Sequence, residues 1–388
     1  MPWRETSVVD ERIRFVALAL EDHRHFSSLC ADFGISRQTG YRWLYRYHET
    51  KSFAALSDHS HKPNTSPEKT PDEIEERVLV LRKQNGWGAK KLQIKLQAMG
   101  IELSVSTINR ILRRRGVMRR KDAHQPALQR FEREEPNELW QMDYKGRFKV
   151  HEGYCYPLSI VDDHSRFALC LNPLRGTDGE SAYSVLIDTM KRYGVPKAIL
   201  SDHGTPWWNT NSGDGITWLS VQLIKQGIDL YHGAFRHPQT QGKVEAFHRT
   251  LNRAFDHHGL PKTMADSADF FESFVHTYNY ERPHEGIGMQ VPDQRYQPST
   301  TTYNPSPAPW CYPSEYTVLR VNSQGSITFK GRRPFVARPL ANEEVAVQEV
   351  DDKLLVMYRH SFVREVDLKT GETRAFIQPI HDGHYLEV

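Results

Sequence analysis

The sequence predicts a multidomain chain with α-helical helix-turn-helix units first, then an α/β core built on a mixed sheet, then a small all-β barrel. Three observations carry this expectation. Apolar residues recur at helical spacing up to about residue 115, the period switches to strand-like alternation at Glu138, and short strand patterns resume after a proline-rich stretch at 292–309. With 388 residues, the chain is long enough for two to four domains.

Residues 1–50 form the first unit. Val9, Ile13, Val16 and Leu20 mark one helix, and residues 26–33 a second. Gly34-Ile35-Ser36 is a sharp turn in which Ser36 caps a third helix running to about His48, and small Cys30 suits a close helix approach. Arg37, Gln38, Thr39, Arg42 and Arg46 give that helix a polar, basic face suited to a major groove, while Trp43 and Tyr47 turn inward. Residues 51–71, rich in Pro, Ser, Thr and Lys, are a linker. A second unit over 72–120 repeats the layout with helices at 72–84, 88–98 and 105–115, closed by Gly116. Arg110, Arg113, Arg114 and Arg115 end its last helix, and Arg119, Arg120 and Lys121 extend a cluster able to neutralise several phosphates.

A second linker at 121–137 leads to the core, 138–291. Three strand patterns, LWQMDYKGRFKV, YCYPLSIVDD and SRFALCLNPL, form an antiparallel meander joined by polar turns, with Asp162 and Asp163 read as turn residues. A helix at 179–193, a buried strand at 196–201, a helix at 217–226, a strand at 228–231 and a long helix at 242–255 complete a mixed sheet with helices packed on it. Helices follow at 265–280. Beyond the linker at 292–309, residues 310–388 hold six short strand patterns separated by turns, which suggests a small barrel.

Composition narrows the function class. The net charge of +3 conceals an asymmetry, since residues 1–125 carry 23 Lys and Arg against 15 Asp and Glu, net +8, leaving −5 for the remainder. A basic N-terminal third suits a polyanion partner. No apolar run approaches the roughly 18 residues of a membrane span, and the opening MPWRETSVVDER lacks a secretory apolar segment, so a cytoplasmic or nucleoid location is expected. The four cysteines form no C-x-x-C pair, and His23, His25 and Cys30 lack the second cysteine of a zinc module, so no structural zinc is expected.

Three carboxylates stand out by position. Asp143 lies inside the first core strand between Trp140 and Tyr144, where a lone carboxylate is costly without a partner. Asp202 follows the apolar strand Ala198-Ile199-Leu200 at the carboxyl end, where sheet sites form. Glu245 sits one turn into the long helix. All-carboxylate ligation favours Mg²⁺, with Mn²⁺ able to substitute, and two such ions would activate a water or 3′-hydroxyl and stabilise the leaving oxygen in phosphodiester displacement. Trp207 and Trp208 are suited either to stacking on an unpaired base or to packing the loop after Asp202.

The runs PNELWQMDYKG at 136–146, LSDHGTPW at 200–207, HPQTQGKVEAFHRTL at 237–251 and NYERPHEGIG at 279–288 resemble those of bacterial insertion-sequence DDE transposases, relatives of retroviral integrases. LSDHSHKPNTSP at 56–67 and WGAKKLQ at 87–93 extend the resemblance over about residues 10–300. It implies an RNase H-like catalytic core in which Asp143, Asp202 and Glu245 match the catalytic triad, and Lys243 and His248 match the pattern around the glutamate and are expected DNA contacts. Tyr278, Arg282 and His284 fall in the family's RPH run, which implies a place at the active-site flank or a DNA contact. The chain departs from the pattern at Ala246 and Asn252, where the family has a basic residue, and Arg249 and Arg253 are the substitutes for contact with terminal DNA. A polar insertion at 209–215, expected to be a flexible loop, places Asp202 43 positions before Glu245. The resemblance implies binding of double-stranded DNA at element ends and target, metal-dependent cleavage and strand transfer, and assembly as at least a dimer on DNA. Two other readings stay open, a regulator that binds DNA without cutting it and a subunit needing an ATPase or target-selection partner on the C-terminal barrel.

Overall fold

The computed structural model describes residues 7–21, 25–58, 69–117, 132–202, 204–209, 213–232 and 242–376. His23, Arg119, Arg120 and Lys121 lie outside them. The chain divides into two compact units at Pro71/Asp72.

The smaller unit holds α1 (Val8–Leu20), α2 (Phe26–Asp32) and α3 (Arg37–Thr50), closed over Phe15, Val16, Leu29, Cys30 and Trp43. α2 ends where Gly34 takes φ +65°, letting the Gly34 and Ile35 amides donate back to the Ala31 and Cys30 carbonyls. Ser36 Oγ then accepts from the Thr39 amide at 3.1 Å and starts α3.

The larger unit begins with α4 (Asp72–Asn85), α5 (Ala89–Gln97) and α6 (Val105–Arg114). The same turn chemistry recurs. Gly100 takes φ +77°, Gly100 and Ile101 donate to Gln97 and Leu96, and Ser104 Oγ accepts from the Thr107 amide at 3.1 Å. Val78, Leu81, Leu92, Leu96, Ile108 and Ile111 fill the core between them.

The mixed sheet follows, with β1 (Trp140–Tyr144), β2 (Phe148–Val150), β3 (Gly153–Asp162) and β4 (Ala168–Leu174). The first expected strand is interrupted at 145–147, so β1 and β2 lie end to end along one side of β3, with β4 on its other side. After α7 (Gly179–Tyr193), β5 (Ala198–Ser201) pairs parallel with β1. A two-stranded hairpin, β6 (Trp208–Asn209) and β7 (Gly215–Ile216), leads to α8 (Trp218–Lys225) and β8 (Asp229–His232), which pairs parallel with β5. Alternation along β1 sorts its side chains between layers. Trp140 and Met142 join the core beneath α7 and α8, while the opposite face packs on α9 (Gly242–His258) and α10 (Met264–His276) through Val161, Leu171, Val244, Phe247, Leu251 and Phe271. Gln141 and Asp143 therefore face α9.

The stretch 292–309, expected as a linker, is pinned to the core. Tyr296 stacks on Phe167 with centroids 4.3 Å apart and donates to Asn137 Oδ1, and Val195 donates to the Thr301 carbonyl. Strands β9 (Thr317–Arg320), β10 (Glu344–Val350), β11 (Lys353–Tyr358), β12 (Ser361–Asp367) and β13 (Thr373–Ala375) form an antiparallel sheet in the order β13-β12-β11-β10-β9. Among the described residues β9 and β13 pair with β10 and β12 and not with each other, so what is seen of the expected barrel is an antiparallel sheet. Its apolar face shares one cluster with Trp208, Ile216, Val221 and Ile224, which ties it to α8 and the hairpin. No described helix is long and apolar enough to cross a membrane.

Candidate active site and DNA-contact surfaces

Strand register brings two of the carboxylates together. β1 and β5 run parallel with Trp140 opposite Ile199 and Gln141 opposite Leu200, and the same register carried two residues further sets Asp143 opposite Asp202. Neighbouring strands lie about 4.8 Å apart, so the two backbones deliver their carboxylates side by side at the carboxyl ends of the strands. Asp202 is held by the Gly204 amide, 3.0 Å from Oδ1. Glu245 reaches the same edge from the first turn of α9.

The electrostatics record this convergence. Burial, then repulsion from Asp202 and, more weakly, Glu245, push the Asp143 carboxyl from its ordinary 3.8 up to about 7, against a lowering hydrogen bond from its own strand. His248, one turn after Glu245, lies with Nδ1 3.7 Å from Asp143 Oδ2 and Nε2 2.9 Å from Ser159 Oγ. Burial and nearby Lys145 hold its ring down to about 4, so at neutral pH it is uncharged and its contact with Asp143 is not an ion pair. Among the described residues no three His, Cys, Asp or Glu side chains form a ready coordination shell. The carboxylates are near enough to repel one another without sharing a single ligand point, and their hard oxygen donors and excess negative charge fit a divalent cation such as Mg²⁺.

The other expected contacts divide into exposed and engaged groups. Arg37, Gln38 and Arg42 are exposed on α3 and Thr39 is half-buried. Arg46 instead donates to the Ser57 carbonyl at 2.9 Å and lies over Trp43. Arg110 and Arg113 are exposed on α6, whereas Arg114 and Arg115 both pair with Glu75, which is 0% exposed. A buried carboxylate demands such partners, and it engages one end of each of two arginines that otherwise remain exposed. Arg249 is exposed beside Glu245, with Nη1 3.9 Å from Oε2, and Arg253 is exposed two turns on. Lys243, in contrast, is buried, with Nζ 2.7 Å from Asp163 Oδ1.

Asp162 and Asp163 act structurally, Asp162 accepting from the Asn137 amide at 2.7 Å and from the Ser165 amide and hydroxyl. Trp207 and Trp208 are buried, Trp207 stacked on Tyr144 with centroids 5.6 Å apart, which favours packing over base stacking. The insertion at 209–215 is no free loop where it is described, for Arg364 donates to the carbonyls of Gly213 at 2.8 Å and Asp214 at 2.7 Å. Tyr278 and His284 pack edge-to-face, and Arg282 lines a cleft of about 1390 Å³ between α4–α6 and α9–α10, together with Lys90, Lys91, Arg115 and Arg253. Sequence reasoning missed Gln141, which is wholly buried; its signal in the sequence was a polar residue between apolar Trp140 and Met142, two positions before Asp143 and so on the same strand face.

Comparison with known proteins finds family matches along the same segments. Residues 133–238 and 226–292 match integrase core domain families, residues 11–64 a helix-turn-helix domain and residues 39–112 a homeodomain-like domain. An uncharacterized 31.7 kDa protein of insertion element IS407 from Burkholderia multivorans is 22% identical over 228 residues, covering 56% of this chain and 78% of that protein. The Gag-Pol polyprotein of baboon endogenous virus is 30% identical over 127 residues, and the matched segment spans 32% of this chain and only 7% of the polyprotein. Among solved structures, a chain of the simian T-cell lymphotropic virus intasome in complex with PP2A regulatory subunit B56 gamma aligns over 78% of this chain and 100% of its own, with TM-score 0.39 and 14% identity. The HTLV-2 integrase catalytic core domain in complex with magnesium aligns over 42% of this chain and 97% of its own, with TM-score 0.32 and 16% identity. The integrase-core matches fall on the segment carrying Asp143, Asp202 and Glu245, the helix-turn-helix matches fall on the helices before it, and with the insertion-element relative they support a bacterial insertion-sequence transposase of the integrase-like superfamily.

Proposed function

We propose that the protein binds the ends of its mobile element through its helix-turn-helix units, cleaves a DNA strand there, and joins the freed 3′-hydroxyl to target DNA. The observation that carries this reading is the parallel register of β1 and β5, which delivers Asp143 and Asp202 side by side facing Glu245. Asp143, Asp202 and Glu245 would hold two Mg²⁺ ions, with Mn²⁺ able to substitute, which when bound would supply charge neutralisation at the scissile phosphate and a more acidic water. In cleavage, a water oxygen bonds to phosphorus and gives up a proton as the bond to the 3′ oxygen breaks and that oxygen takes up a proton; in joining, the 3′-hydroxyl oxygen loses its proton and bonds to a target phosphorus as the bond from that phosphorus to the target strand's own 3′ oxygen breaks. His248, uncharged and fixed by Ser159, adds no competing positive charge beside Asp143.

The contact surfaces follow from exposure. Arg37, Gln38, Thr39 and Arg42 are suited to base edges and flanking phosphates in a groove, and Arg110 and Arg113 to phosphates. Glu245, Arg249 and Arg253 succeed one another at four-residue spacing on α9, about 6 Å per step, so a strand leaving the active end meets Arg249 and then Arg253 at the basic cleft. Arg46, Arg114, Arg115 and Lys243 are assigned to holding the fold. The C-terminal sheet serves here as a brace for the segment after Asp202 and as the surface for any ATPase or target-selection partner. Since one site must meet two DNA ends and a target, the working form is at least a dimer on nucleoid DNA.

The test is incubation of the purified protein, with Mg²⁺ or Mn²⁺, and a plasmid carrying its own gene with native flanks, beside Glu245→Gln. Nicking or joining at the flanks is expected, lost in the variant while flank binding persists. Tight, salt-sensitive binding with no chemistry under either metal would overturn the catalytic part of the proposal.

A further inference from the structure

We infer that Gln141, Asp163 and Lys243 form a positioning device that fixes the start of α9, and with it Glu245, against Asp143, so that their contribution lies in the chemical step rather than in DNA contact. The inference rests on the transposase reading above. Its basis is one buried side-chain amide used at both ends. Gln141 Nε2 donates to Asp163 Oδ1 at 2.8 Å, while Gln141 Oε1 accepts from the backbone amides of Lys243 and Val244, each at 3.2 Å. These are among the first amides of α9, which have no carbonyl of their own helix to reach. Since the donor end faces a carboxylate and the acceptor end faces two N–H groups, the amide has only one satisfactory orientation.

Asp163 ties the device to the scaffold. Its Oδ1 also takes Lys243 Nζ at 2.7 Å, and its Oδ2 accepts from the Arg133 amide at 2.8 Å. Gln141 and Asp163 are 0% exposed and Lys243 9%, so none of the three is available to a phosphate. Gln141 precedes Asp143 by two residues on one strand face, and Val244 adjoins Glu245. The chain of contacts therefore spans from one carboxylate to the other through a single amide. Three like charges at one edge push α9 away from β1, and this tether opposes that push at the turn bearing Glu245.

The deciding variant is Gln141→Met, which keeps length, changes no charge and leaves Asp163 its contacts with Lys243 and the Arg133 amide; Lys243→Met strands a buried carboxylate, so Lys243→Arg accompanies it as the charge-preserving rescue. Full-length proteins are compared for flank-DNA affinity by anisotropy, cleavage rate at saturating DNA, Mn²⁺ affinity by electron paramagnetic resonance, and melting temperature. Gln141→Met is expected to bind DNA like wild type while its saturated rate and Mn²⁺ affinity fall about 10- to 100-fold, the range typical of residues that orient metal ligands. Lys243→Arg is expected to retain most of both. Wild-type rate and Mn²⁺ affinity in Gln141→Met overturn the inference, as does weaker DNA binding with an unchanged saturated rate. If wild type cuts no DNA yet Gln141→Met still weakens Mn²⁺, the positioning stands and the transposase reading falls; if wild type itself binds no Mn²⁺, both fall.

Discussion

Replacing Asp143 by asparagine should abolish strand cleavage and, unusually for an active-site change, stabilise the metal-free protein. The Asp143 carboxyl ionises near 3.8 when free and near 7 in the fold, because burial and the Asp202 and Glu245 charges oppose its negative form. A raised carboxyl pKa means that the folded protein holds a proton the unfolded chain has released, so stability falls as pH rises through the window from 3.8 to 7. At 1.36 kcal/mol per unit, the penalty is about 2 kcal/mol at pH 5 and about 4 kcal/mol at pH 8. The Asp143 side chain is 24% exposed, so solvent screening trims these figures without removing them. The asparagine side chain of Asp143→Asn carries no charge and escapes the penalty, raising the melting temperature of the larger unit at pH 8 by roughly 6 °C. Scanning calorimetry of wild type and Asp143→Asn at pH 5 and pH 8, with and without Mg²⁺, tests this. The gap should widen from pH 5 to pH 8 and shrink when Mg²⁺ is added, since a bound cation offsets the same repulsion in wild type. Equal melting at pH 8, or a gap that ignores pH, would refute the account of Asp143.

Two further outcomes follow from packing. A methyl group at position 40 would sit 2.7 Å from Cys30 Sγ and 2.9 Å from Phe15 Cζ, so Gly40→Ala should cost the smaller unit about 1–3 kcal/mol, partly recovered in Gly40→Ala/Cys30→Ala, as read by chemical denaturation of the full chain. Arg364 is 3% exposed and donates to two carbonyls of the hairpin connection, so Arg364→Met should cost about 2–3 kcal/mol and speed hydrogen exchange across Trp208–Ile216; unchanged exchange there would mean that the apolar cluster alone holds the hairpin.

How much of this was legible in the sequence depended on the distance over which each signal acts. The Ser36 cap, the turn at Gly34 and the alternation that puts Asp143 opposite the face of Trp140 and Met142 are local, and a few residues suffice to specify them. Asp143 and Asp202 were readable as a pair because strand ends are where sheet sites form. Basic residues were harder. Arg37 and Arg42 match Arg46, Arg114, Arg115 and Lys243 in type and helical spacing, yet buried Glu75 and Asp163 and the Ser57 carbonyl claim the latter group from other segments. Nothing near residue 214 in the sequence announces that Arg364 clamps it, so a polar stretch looked free. The barrel expectation meets a related limit, since strand patterns predict strands but not whether the first and last of them meet.

The same distinction between local and distant forces explains why the active edge carries so many buried polar contacts. Apolar packing of Val244, Phe247, Leu251 and Phe255 against Phe148, Val161 and Leu171 holds α9 on the sheet, but such burial is non-directional and tolerates a small slide along the helix axis. A slide of one residue, about 1.5 Å, would keep most of that apolar contact and carry Glu245 out of place. Hydrogen bonds from one amide to two particular backbone N–H groups do not tolerate it. The apolar stripe thus sets the distance of α9 from β1, while Gln141, Asp163 and Lys243 set its register. Register is the coordinate on which the meeting of Glu245 with Asp143 and Asp202 depends.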